Sequence, residues 1–301
     1  MTSRAAIKQG FSLIRRDRGP VWVLFLANLG LAALAALPVY RGILQFTGYS
    51  RMSQELLRGL PTDWLTDFSL NSPGSLTRYA TVIALVGLLS IPVNTILAGG
   101  VIARLRKLEA PFSLGDFFRD TYRYAWRLIR LMILGLICYW IVFRLLNQSL
   151  GNLIDKWTDD WQSDRADFWI RLGATILLLL GLGFVNLIVD YARVKLIMED
   201  GSSAAGAFLC SLGFCLKRFR RAATVYALPA LCGLVLLGLY RLVIPWSLIN
   251  APVAEAGWTQ YRGPILVALL FIGQQVVMFG RYWFRVATWA SEWAYYSGSQ
   301  Q

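Results

Sequence analysis

Arg144 is followed by Asn147 and Gln148 at spacings that share one helical face, inside a stretch, Leu131 to Leu150, that holds no other charge. A guanidinium flanked by amides can bind an anion or line a polar path through lipid. Measured from Leu131 at 1.5 Å per residue, Arg144 stands about 20 Å along a helix, in the outer third of a bilayer. The favoured reading is an Arg that snorkels to the outer headgroups; the competing one is a buried charge that faces a substrate. The amides Asn94, Asn186 and Gln274 fall in other apolar runs and complete, with Arg144 and Asn147, a candidate intramembrane polar cluster. Amides in lipid seek partners, so tying helices together is expected of them before ligand binding.

The second constellation is Asp190 with Arg193, three residues apart where an uncharged run from Leu172 to Val189 ends. A carboxylate at that point could relay protons, but relays need ionisable groups at depth. A boundary ion pair, one helical turn apart and still hydrated, is the expectation. Five aspartates, Asp155, Asp159, Asp160, Asp164 and Asp167, crowd a short segment with Trp157, Trp161 and Trp169. They lack the alternation and Gly of a calcium loop, so an acidic outer loop anchored by interfacial Trp is expected, and no metal or cofactor.

Catalytic chemistry has little to work with. The chain has no His, the commonest general base and metal ligand. It contains no GxSxG elbow, no GxxxxGK[ST] phosphate loop and no HExxH motif. Glu109, Asp116, Asp120, Glu199 and Asp200 each lie close to basic residues or at a helix start, where the dipole accounts for an acid. The four Cys make no disulfide framework and read as small packing residues.

The elements that must carry these residues follow from hydropathy. With 56% hydrophobic and 16% charged residues and a mean hydropathy of +0.51, the chain is too apolar for a soluble domain of 301 residues. Uncharged runs at Gly19 to Tyr40, Tyr79 to Ala103, Leu172 to Val189 and Gly263 to Gly280 reach spanning length. Leu131 to Leu150 and Ala222 to Tyr240 make six, within a single all-α membrane domain. Basic residues number five up to Arg18, seven from Arg104 to Arg130, six from Arg193 to Arg221 and two beyond Gly280. This majority of the 30 Lys and Arg faces one side, which places both termini in the cytoplasm. The net charge of +13 then faces anionic lipid headgroups and not nucleic acid. Ser53 to Phe68, with a break at Pro61, reads as a short helix on the outer surface.

An internal repeat orders these spans. Arg104, Arg193 and Arg281 mark three exits, and nine or ten residues later come Ser113, Ser203 and Ser291, each suited to cap a new helix. Phe11, Ile14 and Arg15 correspond to Trp126, Ile129 and Arg130, and again to Leu216, Phe219 and Arg220. Basic and apolar stripes about 100° apart fit helices lying at the lipid–water interface. The expected unit is an interfacial helix, a span out and a span back, repeated over 1–103, 104–192 and 193–280, with 281–301 a partial fourth. Ala32 with Ala36, and Gly273 with Gly280, fit close helix approach.

The inner segments IARLRKLEAPFSLGDFFRDTYRYAWRLIR and VDYARVKLIMEDGSSAAGAFLCSLGF resemble those of multi-pass bacterial membrane proteins related to the membrane domain that accompanies some glycerophosphodiester phosphodiesterases. The resemblance covers most of the chain. It implies no activity, because the His and acidic metal ligands of the phosphodiesterase domain are missing. The expected function is that of a non-enzymatic scaffold or accessory subunit in the bacterial inner membrane, with a protein partner in the membrane or at its cytoplasmic face. The alternative is a transporter or permease subunit for a small molecule or lipid, working with a separate ATPase.

Overall fold

The computed structural model describes residues 1–48, 62–158, 164–243 and 259–300, and all regular structure among them is helical. The helices are α1 (Ser3–Arg16), α2 (Gly19–Thr47), α3 (Thr62–Asn71), α4 (Ser75–Arg104), α5 (Leu114–Phe143), a π-helical turn (Arg144–Ser149), α6 (Leu150–Thr158), α7 (Asp164–Met198), α8 (Ala204–Lys217), α9 (Phe219–Val243) and α10 (Thr259–Gln300). Of the helix expected on the outer surface, Ser53 to Pro61 lie outside the described residues; α3 covers the remainder.

Five stretches are long and apolar enough to cross a membrane: Gly19–Thr47, Ser75–Arg104, Leu114–Asn152, Asp167–Met198 and Phe219–Leu242. Only 17–22% of each apolar window is buried in protein. Leu88, Leu180, Leu234 and many like them point outward, an arrangement that water would penalise and hydrocarbon does not. Gly263 to Gly280, the sixth expected span, is part of α10.

Local sequence explains where helices begin. Thr2 caps α1 by accepting from the Ala5 N–H at 3.4 Å, Ser113 caps α5 through the Asp116 N–H, and Ser203 caps α8 through the Gly206 N–H at 3.1 Å. Each of the two serines follows a helix breaker, Pro111 or Gly201. Ser291 corrects the expectation: it lies inside α10, buried, with its hydroxyl donating to the Ala287 carbonyl at 2.7 Å. No Pro or Gly stands between Arg281 and Ser291, so nothing stops the helix, and the hydroxyl takes a local acceptor instead.

The chain divides into two compact units. The first comprises Met1–Asp17, Thr95–Pro229 and Ala287–Gln301. Its core is built by short helices, helix ends and the middle of α5: Ile14, Ile102, Leu128, Leu131, Leu196 and Tyr295 are almost wholly buried. α1 contributes one face, Ala6, Ile7, Gly10 and Ile14, to protein and not to lipid. A Cβ on Gly10 would stand 2.6 Å from the Ser291 backbone nitrogen, so α1 packs directly on the α10 backbone. α5 runs unbroken from Leu114 to Phe143, so the interfacial helix and span expected as two elements are one here, whereas α1 and α2 part at Asp17 and α8 and α9 at Arg218. Outward faces remain on α5 and α8: Phe118, Tyr122, Trp126, Leu209 and Leu216 are exposed beside Arg119, Arg123 and Lys217.

The second unit comprises Arg18–Asn94 and Ala230–Val286. Phe279 of α10 lies 4.6 Å from the Trp22 ring and 5.7 Å from the Phe25 ring of α2. A Cβ on Gly280 would meet Leu236 of α9 at 2.5 Å, a close approach of the expected kind. Gly273 has open space around it, and Ala32 and Ala36 face outward, so neither makes the contact expected of it.

Gly10→Leu should therefore cost roughly 1–3 kcal/mol by forcing α1 off α10. The expected readout is a lower thermal midpoint in detergent with protease cleavage between Thr2 and Arg18. Gly30→Leu, at a position open on all sides, should change neither.

Candidate functional site

In the first unit, α7, α8 and the end of α10 converge on a polar and aromatic core. Asp190 has no solvent exposure at all. Arg193 Nη1 donates to its Oδ1 at 2.8 Å, and Trp289 Nε1 approaches the same oxygen at 3.4 Å. The pair expected at a hydrated boundary is thus inside the protein, because α10 continues past Ser291 and covers it. Desolvation of this kind holds only where charge and hydrogen bonds compensate.

Phe214 of α8 gathers three phenols, with ring centroids 5.4 Å from Tyr191, 5.9 Å from Tyr295 and 5.4 Å from Tyr296. Glu292 is also fully buried. Burial, reinforced by the Glu292 carboxylate, pushes the Cys215 thiol up to about 12, which keeps it protonated and inert as a nucleophile. Cys138, Cys210 and Cys232 are free thiols as well, and Cys210 and Cys232 are exposed, so neither of these two is the packing residue expected.

Around this core Glu199, Asp120, Asp116 and Asp17 are each paired with a cation. Lys195 donates to Glu199 at 3.0 Å, and Tyr296 donates to the same carboxylate at 2.7 Å. Lys107 Nζ lies 2.7 Å from Asp120, and Arg119 pairs with Asp116. Arg104 donates to Asp17 at 2.6 Å and to the carbonyls of Lys107 and Ala110, closing the turn after α4 on the end of α1.

Asp200 ends α7. Its φ of 49° puts it in the left-handed region, and the Gly201 N–H reaches back to the Leu196 carbonyl, the closure of a Schellman cap. Glycine usually takes the first of these places; here the Asp200 carboxylate is held by Arg123 at 2.5 Å and Arg127 at 2.7 Å. The Arg127 hydrogen bond, with the charges of both arginines, holds its pKa below the usual carboxylate range.

Asn94 and Asn28 exchange amide hydrogen bonds at 2.8 and 2.9 Å in the second unit. Asn186 accepts from Tyr139 at 3.0 Å and donates to Tyr226 in the first. Gln274 is exposed. Arg144 and Asn147 are exposed too, with the Arg144 guanidinium 5.3 Å over the Trp140 ring. Asn28, Asn94 and Asn186 each find a partner on a neighbouring helix, as the cost of an unpaired polar group in hydrocarbon requires.

Of the outer aspartates, Asp167 pairs with Arg171 at 2.8 Å. Asp159, Asp160 and Trp161 lie outside the described residues, as do the side chains of Asp155, Trp157 and Asp164. Among the described residues, no three His, Cys, Asp or Glu side chains come together to hold a metal.

Sequence reasoning missed Glu292, Trp289 and Tyr295 as core residues. The available signal was continuity: from Arg281 onward the sequence lacks a breaker, so residues 289, 292, 295 and 296 fall on one helical face. Comparison with known proteins returned no match: no family model, no curated protein and no solved structure is similar to the chain.

Removing one member of the buried pair strands the other. Asp190→Leu or Arg193→Leu should each cost about 3–5 kcal/mol, and the double variant well under the sum, in an unfolding cycle in detergent. For Asp200 the depressed pKa means that its contribution is complete above the unfolded value and is lost as pH falls through the folded one. Amide exchange over 196–206 should accelerate as pH is lowered past the usual carboxylate range, about 3.9, after correction for intrinsic exchange. Asp200→Asn should show the fast behaviour already at neutral pH.

Proposed function

We propose that the chain is a non-enzymatic scaffold or accessory subunit of a bacterial inner-membrane assembly. In this reading it crosses the membrane six times in three repeats, with both termini cytoplasmic. The five spanning-length helices support a multi-pass protein, and the basic residues at Arg104 to Arg130 and Arg193 to Arg221 favour the orientation.

One observation carries the scaffold role. The best-packed part of the first unit is the layer of helix ends at its basic side, and that layer presents Phe118, Tyr122 and Trp126 on one face of α5, Tyr122 at 85% exposure. Ion pairs fix the opposite face of the same helix, through Asp120 and the Asp200 clamp. A rigid helix showing an aromatic stripe between arginines can seat against anionic headgroups or against a partner helix. The acids paired with cations, the inert Cys215 and the lack of His favour binding over catalysis.

Photocrosslinkers placed at Tyr122 and Trp126 in cells separate the outcomes. A discrete protein adduct, lost in a Tyr122→Ser, Trp126→Ser variant that still purifies monodisperse, supports a scaffold. A stoichiometric ATPase partner together with ATP-dependent flux in liposomes would establish the transporter reading instead.

A further inference from the structure

The π turn at Arg144–Ser149 is the one departure from α-helical winding among the described spanning segments. Such a turn inserts a residue into the i to i+4 ladder at a cost in hydrogen bonding, and it recurs where a side chain has to be re-aimed for function. Nothing in RLLNQS demands it locally: there is no Pro and no Gly. Around the turn runs a shallow groove in two lobes that share Trp140, Arg144, Gln148 and Asn152; one lobe adds Ser149 with Ile141 and Leu145 at its apolar end, the other adds Asn147. Arg144 makes no ion pair among the described residues, and none of the lining residues is acidic. The lobe with Asn147 therefore offers one full positive charge and three amides, a donor set for a phosphate oxygen cluster.

The surroundings choose the kind of phosphate. Arg130, the last cation at the basic end of α5, precedes Arg144 by fourteen residues, about 21 Å, and Asn152 lies about 12 Å farther on. Against a hydrocarbon layer about 30 Å thick, the groove straddles the outer interface. Below it, Ile133, Ile137 and Ile141 are exposed in a continuous strip on the same helix. A phosphate ester with acyl chains satisfies both halves: the headgroup on the amides and guanidinium, the chains along the isoleucines. The Trp140 ring, 58% exposed and under the guanidinium, holds Arg144 at interfacial depth.

We propose that the π turn and Arg144, with Asn147, Gln148 and Asn152, form a binding site for the phosphodiester headgroup of a glycerophospholipid in the outer leaflet. The proposal rests on the membrane placement and orientation given above and is independent of the scaffold role.

The full chain, reconstituted in bilayer nanodiscs, is exposed to phosphatidylglycerol carrying a diazirine near the top of one acyl chain, and labelled peptides are mapped. Labelling is expected to concentrate on residues 133–152. Unlabelled phosphatidylglycerol should compete and diacylglycerol with the same chains should not. Arg144→Gln should lower labelling about tenfold, the scale of one charge-assisted hydrogen-bond set, with Arg144→Lys recovering part of it. Because Arg144 is exposed, folding should survive; Asn147→Ala with Asn152→Ala, at equally exposed positions, gives a second reading with an expected fall of severalfold. Unchanged labelling in both variants, or equal competition by diacylglycerol, would reduce the lipid to an ordinary annular neighbour and overturn the site. Competition by millimolar inorganic phosphate as effective as by the lipid would mark a free-phosphate site and overturn the lipid assignment. A chain that fails to enter nanodiscs at all would sink the membrane placement, a failure separate from loss of labelling in a protein that has inserted.

Discussion

A polar group removed from water has to be satisfied by the protein itself, and that constraint shapes the molecule at every scale. At the level of the backbone it permits only helices across lipid, since each N–H and C=O then bonds within its own segment. Among side chains it explains the reciprocal Asn28–Asn94 amides and the Asn186 contacts to two tyrosines. At the centre of the first unit it explains Asp190, whose carboxylate is fully buried and correspondingly held by Arg193 and Trp289. The Coulomb attraction inside such a core is large, but so is the desolvation that opposes it. What the pair adds above all is registry: α7 and α10 can meet with Trp289 over Asp190 and at few other offsets.

The distribution of apolar side chains is the complement of this. In a water-soluble bundle the leucines would fill the interior of the long helices. Here the long helices expose most of them, while α1, the middle of α5 and the end of α7 bury Ile14, Leu128, Ile197 and their neighbours. Lipid offers no hydrophobic drive for helices to associate, because an acyl chain is as apolar as a leucine. Close packing between the long helices therefore depends on small residues and amides, as at Gly280 and Asn94. At the basic end water is present, so burial there is driven as in any soluble core. That difference in solvent accounts for where α1, α8 and the end of α10 are held.

Much of this was legible from residue types alone. Uncharged runs located five helices of spanning length because their period is unimportant when much of a helix faces lipid, and hydroxyls after Pro111 and Gly201 located two helix starts. Two things were not legible. The first was where the chain does not break: Ser291 matches Ser113 in spacing, but the decisive fact was the breaker missing before it. The second was which face of an amphipathic helix meets protein. Ile7 and Ile14 on α1 are apolar enough for lipid or for α10, and only the approach of Gly10 to Ser291 distinguishes the two. For the polar residues in the spans, sequence gives depth but not partners. Asn186 bonds to tyrosines 47 and 40 residues away along the chain, a separation without local signature.

Arg144 and Asp190 began as similar puzzles, single charges in greasy sequence, and they resolve in opposite directions for one reason. Asp190 lies where three helices converge, so its environment could be assembled from protein. Arg144 sits exposed on the π turn that follows α5, where no neighbouring helix supplies a carboxylate among the described residues. A long, flexible stem can carry its guanidinium to the interface at modest cost, and stacking on Trp140 fixes it there. A buried short acid consequently becomes part of the packing, whereas a long cation left on a lipid-facing surface keeps its hydrogen-bonding capacity for something outside the chain.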